Sequence, residues 1–67
     1  MNFVEFKSRI LKYAKQCDVS IKKIYHDDEK GLNVAILNGL KITGNSYSEK
    51  VTIFGQNGRK FIAYLPA

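Results

Sequence analysis

A chain of 67 residues with a net charge of +5, 45% hydrophobic and 25% charged side chains, has the composition of one small folded domain rather than a disordered tail. The single cysteine excludes an internal disulfide and a multi-cysteine zinc site. No apolar run reaches the roughly 18 residues of a membrane span, and no charged segment leading into a long apolar one opens the chain, so the expectation is a cytoplasmic protein with no membrane partner.

Residues 2–17, NFVEFKSRILKYAKQC, carry the strongest periodic signal. Asn2 is placed to cap a helix, and Glu5, three residues on, is placed to reach back in a capping box and to complement the helix dipole. Phe3, Phe6, Ile10, Tyr13 and Cys17 recur at steps of three and four, and Val4, Leu11 and Ala14 widen this apolar stripe. Cys17 is expected as a buried thiol. Lys7 falls inside the arc and is expected to snorkel along its edge. With Arg9, Lys12 and Lys15 against Glu5 alone, the helix is basic, and most simply a solvated surface.

Asp18 ends the helix. Residues 19–26, VSIKKIYH, read as a strand on their Val, Ile and Tyr content, although Ile21, Ile24 and Tyr25 also fit a helical period. The polar DDEKG turn follows. Two segments of similar design come next, a hairpin over 32–43 and a second over 50–65, each running through an Asn-Gly pair that suits a type I′ turn. The expected architecture is α+β: an N-terminal amphipathic helix packed on a small antiparallel sheet of three to five strands built from Asn-Gly hairpins, in a single domain over 1–67.

A two-residue turn at Asn57-Gly58 pairs Phe54 with Phe61, Ile53 with Ile62 and Val51 with Tyr64. Val51, Ile53, Ile62 and Tyr64 then form the face better suited to lie under the helix. Phe54 and Phe61 become a cross-strand aromatic pair on the other face, beside Arg59. The first hairpin divides similarly, with Ala35, Leu37, Leu40 and Ile42 on one side. More apolar residues compete than one helix can cover. The surplus is absorbed by a curled sheet or a bulge at Gly55, by self-association into a homodimer, or by a partner-binding platform.

His26 with Asp27, Asp28 and Glu29 is the one cluster that hints at acid/base or metal chemistry, and neighbours on a turn rarely converge on one ion. The glycines match no phosphate-cradling spacing. No catalytic residue, metal ligand or cofactor site is assigned, and the protein is read as non-enzymatic. GRKFIAYL resembles an RNA-recognition-motif strand in its basic and aromatic residues, but its second aromatic falls out of step. The helix followed by strands is similar to the start of a double-stranded-RNA-binding domain but lacks that family's second, lysine-bearing helix. Neither family is assigned.

The first functional expectation is a small basic nucleic-acid-binding accessory or regulatory protein. Lys22, Lys23, Lys41, Arg59 and Lys60 would meet phosphates, and Phe54 and Phe61, with Tyr25 and Tyr47, would stack on bases. The alternative is a protein-binding inhibitor or adaptor of the kind encoded by phages and mobile elements, anti-CRISPR proteins among them. Such a protein would dock its hairpin face on a larger protein with an acidic surface.

Overall fold

The computed structural model describes all 67 residues, and its first element follows from the capping chemistry of Asn2. The Asn2 side chain accepts a hydrogen bond from the backbone N–H of Glu5 at 2.8 Å, starting helix α1, Phe3–Cys17. The Glu5 carboxylate does not return to the cap; it accepts from Arg9 at 2.6 Å, one turn along the helix. Asp18 closes the helix in the left-handed conformation at φ 53, its backbone N–H held by the carbonyls of Ala14 and Lys15.

Five strands follow: β1 Ile21–Asp27, β2 Leu32–Leu37, β3 Leu40–Asn45, β4 Lys50–Phe54 and β5 Lys60–Tyr64. They form one antiparallel sheet in the order β1-β2-β3-β4-β5, with every strand beside its neighbour in sequence. The architecture is thus the expected α+β arrangement of one N-terminal helix on an antiparallel sheet. The helix lies closest to β1 and β2. Phe6, Ile10 and Ala14 of the helix close over Ala35, Leu37, Ile42 and Val51 of the sheet, with Met1 and Leu65 completing the core from the two ends of the chain. Each large side chain buried there contributes about 1.5–3 kcal/mol.

Several expectations change at this level. Val4 and Leu11 are 77% and 51% exposed, because the arc of helix in contact with the sheet is narrower than the apolar arc of the sequence. Lys7 is exposed as well. Cys17, in the last turn, is an exposed free thiol rather than a buried one. The segment after the helix is a strand, and its helical spacing has a physical cause. Ile21 pairs with Leu37 and Lys23 with Ile36, so Lys22 is the extra residue of a bulge. The bulge brings Ile21 and Ile24, three apart, onto the same core-facing side, where both pack against the cluster.

In the first hairpin Leu37 faces Leu40 and Ala35 faces Ile42 across Asn38-Gly39. Of these two turn residues only Gly39 takes a positive φ, of 81°, so the turn is not of the I′ kind. The second hairpin departs further. Asn57 and Gly58 do take positive φ angles of 70° and 73°. Its closing bond, however, runs from the Gly55 N–H to the Arg59 carbonyl at 2.8 Å, around the three residues Gln56–Gly58. One extra loop residue shifts the register by one: Ile53 faces Phe61, Thr52 faces Ile62 and Phe54 faces Lys60. The Phe54–Phe61 pair therefore does not form, and the two rings lie on opposite faces. Ile62 and Tyr64 move from the core side to the open side.

Candidate binding face of the sheet

With the helix on one face, the other face of the sheet has no covering element, and the registers fix which side chains share it. Pairing of Lys23 with Ile36, Ile36 with Lys41, Lys41 with Phe54 and Phe54 with Lys60 makes one row across all five strands: Lys23, Ile36, Lys41, Phe54, Lys60. The next row is Tyr25, Val34, Thr43, Thr52, Ile62. Beyond it, Asp27 pairs with Leu32, Leu32 with Asn45, and Lys50 with Tyr64. Cations thus alternate with apolar side chains along the first row. Lys23, Lys41 and Lys60 sit on alternate strands, so their backbones are spaced by roughly 10 Å.

The lysines of this face are free to meet an anion. Lys23, Lys41, Lys50 and Lys60 are exposed, and none lies within ion-pairing distance of a carboxylate; the acid–base contacts of the chain are those of Arg9 with Glu5 and Glu49 and of His26 with Asp28. Asp27 is the one acidic residue in the three rows, and its Oδ1 accepts from the backbone N–H groups of Glu29 and Lys30 at 3.1 and 3.2 Å. Two of the lysines sit beside rings: Lys23 Nζ is 4.7 Å from the centroid of Tyr25, and Lys60 Nζ is 6.0 Å from that of Phe54. Ring and cation therefore present themselves together, a π-face beside a charge.

The apolar members differ in depth. Val34 and Thr43, at the centre, are 3% and 9% exposed, flanked across the rows by Tyr25 and Thr52. Leu32, Ile36, Thr52 and Phe54 are half-buried, while Ile62 and Tyr64 at the β5 edge are 69% and 67% exposed. Between Leu32, Thr43, Thr52 and Ile62 the surface dips into an open depression of about 240 Å³, with Lys50 on its rim.

Of the residues singled out from the sequence, Lys23, Lys41, Phe54 and Lys60 come together in the one row. Arg59 and Phe61 do not join them: strand alternation puts both on the helix side, where Phe61 is 53% exposed because α1 lies towards the opposite edge. Lys22, the bulged residue, is exposed on the β1 edge and belongs to no row. Tyr47 is exposed in the β3–β4 connection, outside the rows. Ile36, Lys50, Ile62 and Tyr64 are additions of the structure; the signal that finds them is strand parity, once the register of the last hairpin is right.

His26 has a structural setting. Its Nδ1 lies 2.7 Å from Oδ1 of Asn33, which is fully buried and whose Nδ2 donates to the Met1 carbonyl at 3.0 Å. The imidazole thus ties β1 to β2 and, through Asn33, to the start of the chain, whose ammonium donates to the carbonyls of Ser46 and Ser48 at 3.0 Å each. No three His, Cys, Asp or Glu side chains converge as metal ligands would, and no helix is long and apolar enough to cross a membrane. Comparison with protein-family models, with curated proteins and with solved structures gives no match.

Proposed function

We propose that the chain is a non-enzymatic nucleic-acid-binding protein of the cytoplasm, acting as an accessory or regulatory factor through the open face of its sheet. The observation that carries this reading is the row Lys23, Ile36, Lys41, Phe54, Lys60, in which unpaired cations alternate with apolar side chains across the full width of the sheet. Lysines meeting phosphates release condensed counterions, which supplies affinity without sequence preference. Tyr25, Phe54 and Tyr64 offer ring faces on which exposed bases stack. Ring faces set beside lysines can be reached by unpaired bases but not by bases stacked within a duplex, so single strands are the better fit. No cofactor is needed for such binding.

The test is a fluorescence-anisotropy titration of labelled single-stranded and duplex DNA and RNA at low and moderate salt. Binding that favours single strands and weakens steeply with salt supports the reading; absence of binding at low salt sinks it.

A second reading has its own support. Ile62 and Tyr64 are large, exposed and on the same face as the lysines, which also suits docking on a larger protein with an acidic surface, as an inhibitor of the phage or mobile-element type would do. Affinity for such a partner would fall chiefly on truncating Ile62 or Tyr64, and less steeply with salt than counterion release from a polyanion requires.

A further inference from the structure

The two edges of the sheet are unequal. At one end β1 carries the bulge at Lys22 and two adjacent lysines, features that spoil an edge for strand addition. At the other, β5 is a regular strand whose pairing with β4 is unbroken from Lys60 to Tyr64. Phe61, Ile62 and Tyr64 are exposed along it, on both faces. Since the Gly55 N–H bonds to the Arg59 carbonyl, alternation turns the backbone groups of Arg59, Phe61 and Ala63 towards β4 and those of Lys60, Ile62 and Tyr64 outward. The outer row of donors and acceptors has no partner strand.

We infer that this edge pairs with a second copy of the same chain, β5 against β5 in antiparallel register centred on Ile62. The sequence of the strand is complementary to itself in that register. Ile62 meets Ile62 across the two-fold axis. Lys60 meets Tyr64 of the second copy, setting a cation beside a ring, and Phe61 meets Ala63, a large side chain beside a small one. The outward N–H and C=O groups of Lys60, Ile62 and Tyr64 are then all matched. Sliding the register destroys this match. A centre on Phe61 sets Tyr64 opposite Gly58 in the loop, and a centre on Ala63 sets Lys60 opposite Pro66, which has no N–H to give. The contact is isologous and closes at two copies. Cross-strand partners share a face, so the two open faces lie on the same side of one continuous sheet of twice five strands.

The experiment is light scattering on nuclease-treated protein eluting from a sizing column at moderate salt, so that its result is independent of the binding reading and charges placed across the axis are not screened away. Wild-type protein is expected at twice the 7.6 kDa of one chain, with dissociation on dilution. Ile62→Lys and Ile62→Glu each set like charges face to face across the axis, and each alone is expected at the single-chain mass. Their equimolar mixture is expected to return to the double mass, because the opposed charges now attract. Thermal melts of both variants show that each is folded, as the exposure of Ile62 leads one to expect. A wild type that stays at the single-chain mass overturns the inference. So do single variants that keep the double mass, a mixture that fails to associate, and any assembly that grows beyond two copies.

Discussion

Replacing Lys23, Lys41 and Lys60 together by Ala tests the row of cations at its centre. Each lysine is exposed and free of a carboxylate partner, so its removal leaves no buried charge behind, and surface changes of this kind usually alter stability by no more than about 0.5 kcal/mol. For a single strand, each neutralised phosphate contributes about 0.7 to the slope of log affinity against log salt. Loss of the three contacts should therefore flatten that slope by about 2. Over the interval from about 50 to 200 mM salt, the missing slope corresponds to about a 20-fold change in affinity that the variant no longer shows. Anisotropy titrations of one labelled oligonucleotide at four or more salt concentrations measure it directly. Phe54→Ala supplies the contrast: it should weaken binding by about 1–3 kcal/mol, the worth of one stacked base, and leave the slope alone. Phe61→Ala, on the opposite face, should change neither quantity for an oligonucleotide too short to reach a second copy of the chain. A triple variant that keeps the wild-type slope refutes the placement of phosphates along this row, even if the protein binds nucleic acid.

Other tests concern the scaffold. Gly44→Ala should lower stability by about 1 kcal/mol and the melting temperature by about 4–8 °C, because its new Cβ would sit 3.1 Å from Cγ1 of Val51, itself fixed in the core; an unchanged melting curve would show that Val51 gives way. Asn33→Ala should cost about 1–3 kcal/mol in urea unfolding, since the Met1 carbonyl and His26 Nδ1 lose their partner; an unshifted midpoint contradicts the bridging role. Cys17 should react with a thiol reagent in the native state as fast as in denaturant, and protection would contradict its exposure. Burial, and after it the neighbouring Cys17, raises the pKa of Tyr13 above its ordinary value of 10.0. The folded state thus holds that proton more tightly, and the associated stability is present below the ordinary value and lost as pH rises through the raised one. Tyr13→Phe should flatten the alkaline decline in a pH series of urea midpoints, and an unaltered decline assigns it to other groups.

How legible each feature was depended on how local its cause is. The cap at Asn2 and the stripe through Phe6 and Ile10 are visible in a dozen residues, and they form. Exposure of Val4 and Leu11 is not visible there, since periodicity gives the angle of a side chain but not the width of the sheet beneath the helix. At Ile21 and Ile24 a strand with a bulge reproduces a helical spacing. In the last hairpin the same Asn57-Gly58 pair serves a two-residue turn or a three-residue loop. The choice reverses the face of every side chain on β5 relative to β4, which is how Phe61 and Arg59 left the expected site and Ile62 and Tyr64 entered it. Lys23, Lys41 and Lys60 were identifiable one by one, but their common row depends on four successive registers.

The charge on the open face also decides how two copies can meet. Lys23, Lys41, Lys50 and Lys60 stand against Asp27 alone, so stacking one open face on another would press two cationic rows together as water leaves, at a cost that rises as the dielectric falls. The apolar surface around Ile36 and Phe54 is thereby disfavoured for self-association, whereas the polyanion of the proposed function would offset the crowding of the lysines. Along β5 the balance is reversed: in the register centred on Ile62, each Lys60 faces a tyrosine and the two lysines lie at opposite ends of the contact. Edge pairing leaves both cationic rows uncovered and on one side. Under the proposed function, a strand of nucleic acid long enough to cross the joint would then meet two rows, and the salt slope would grow with the number of lysines it touches. The open face of this hairpin domain thus carries too many cations to close on a second copy of itself, and under the proposed function those cations, set beside apolar and aromatic side chains, would receive a partner that is both planar and negatively charged.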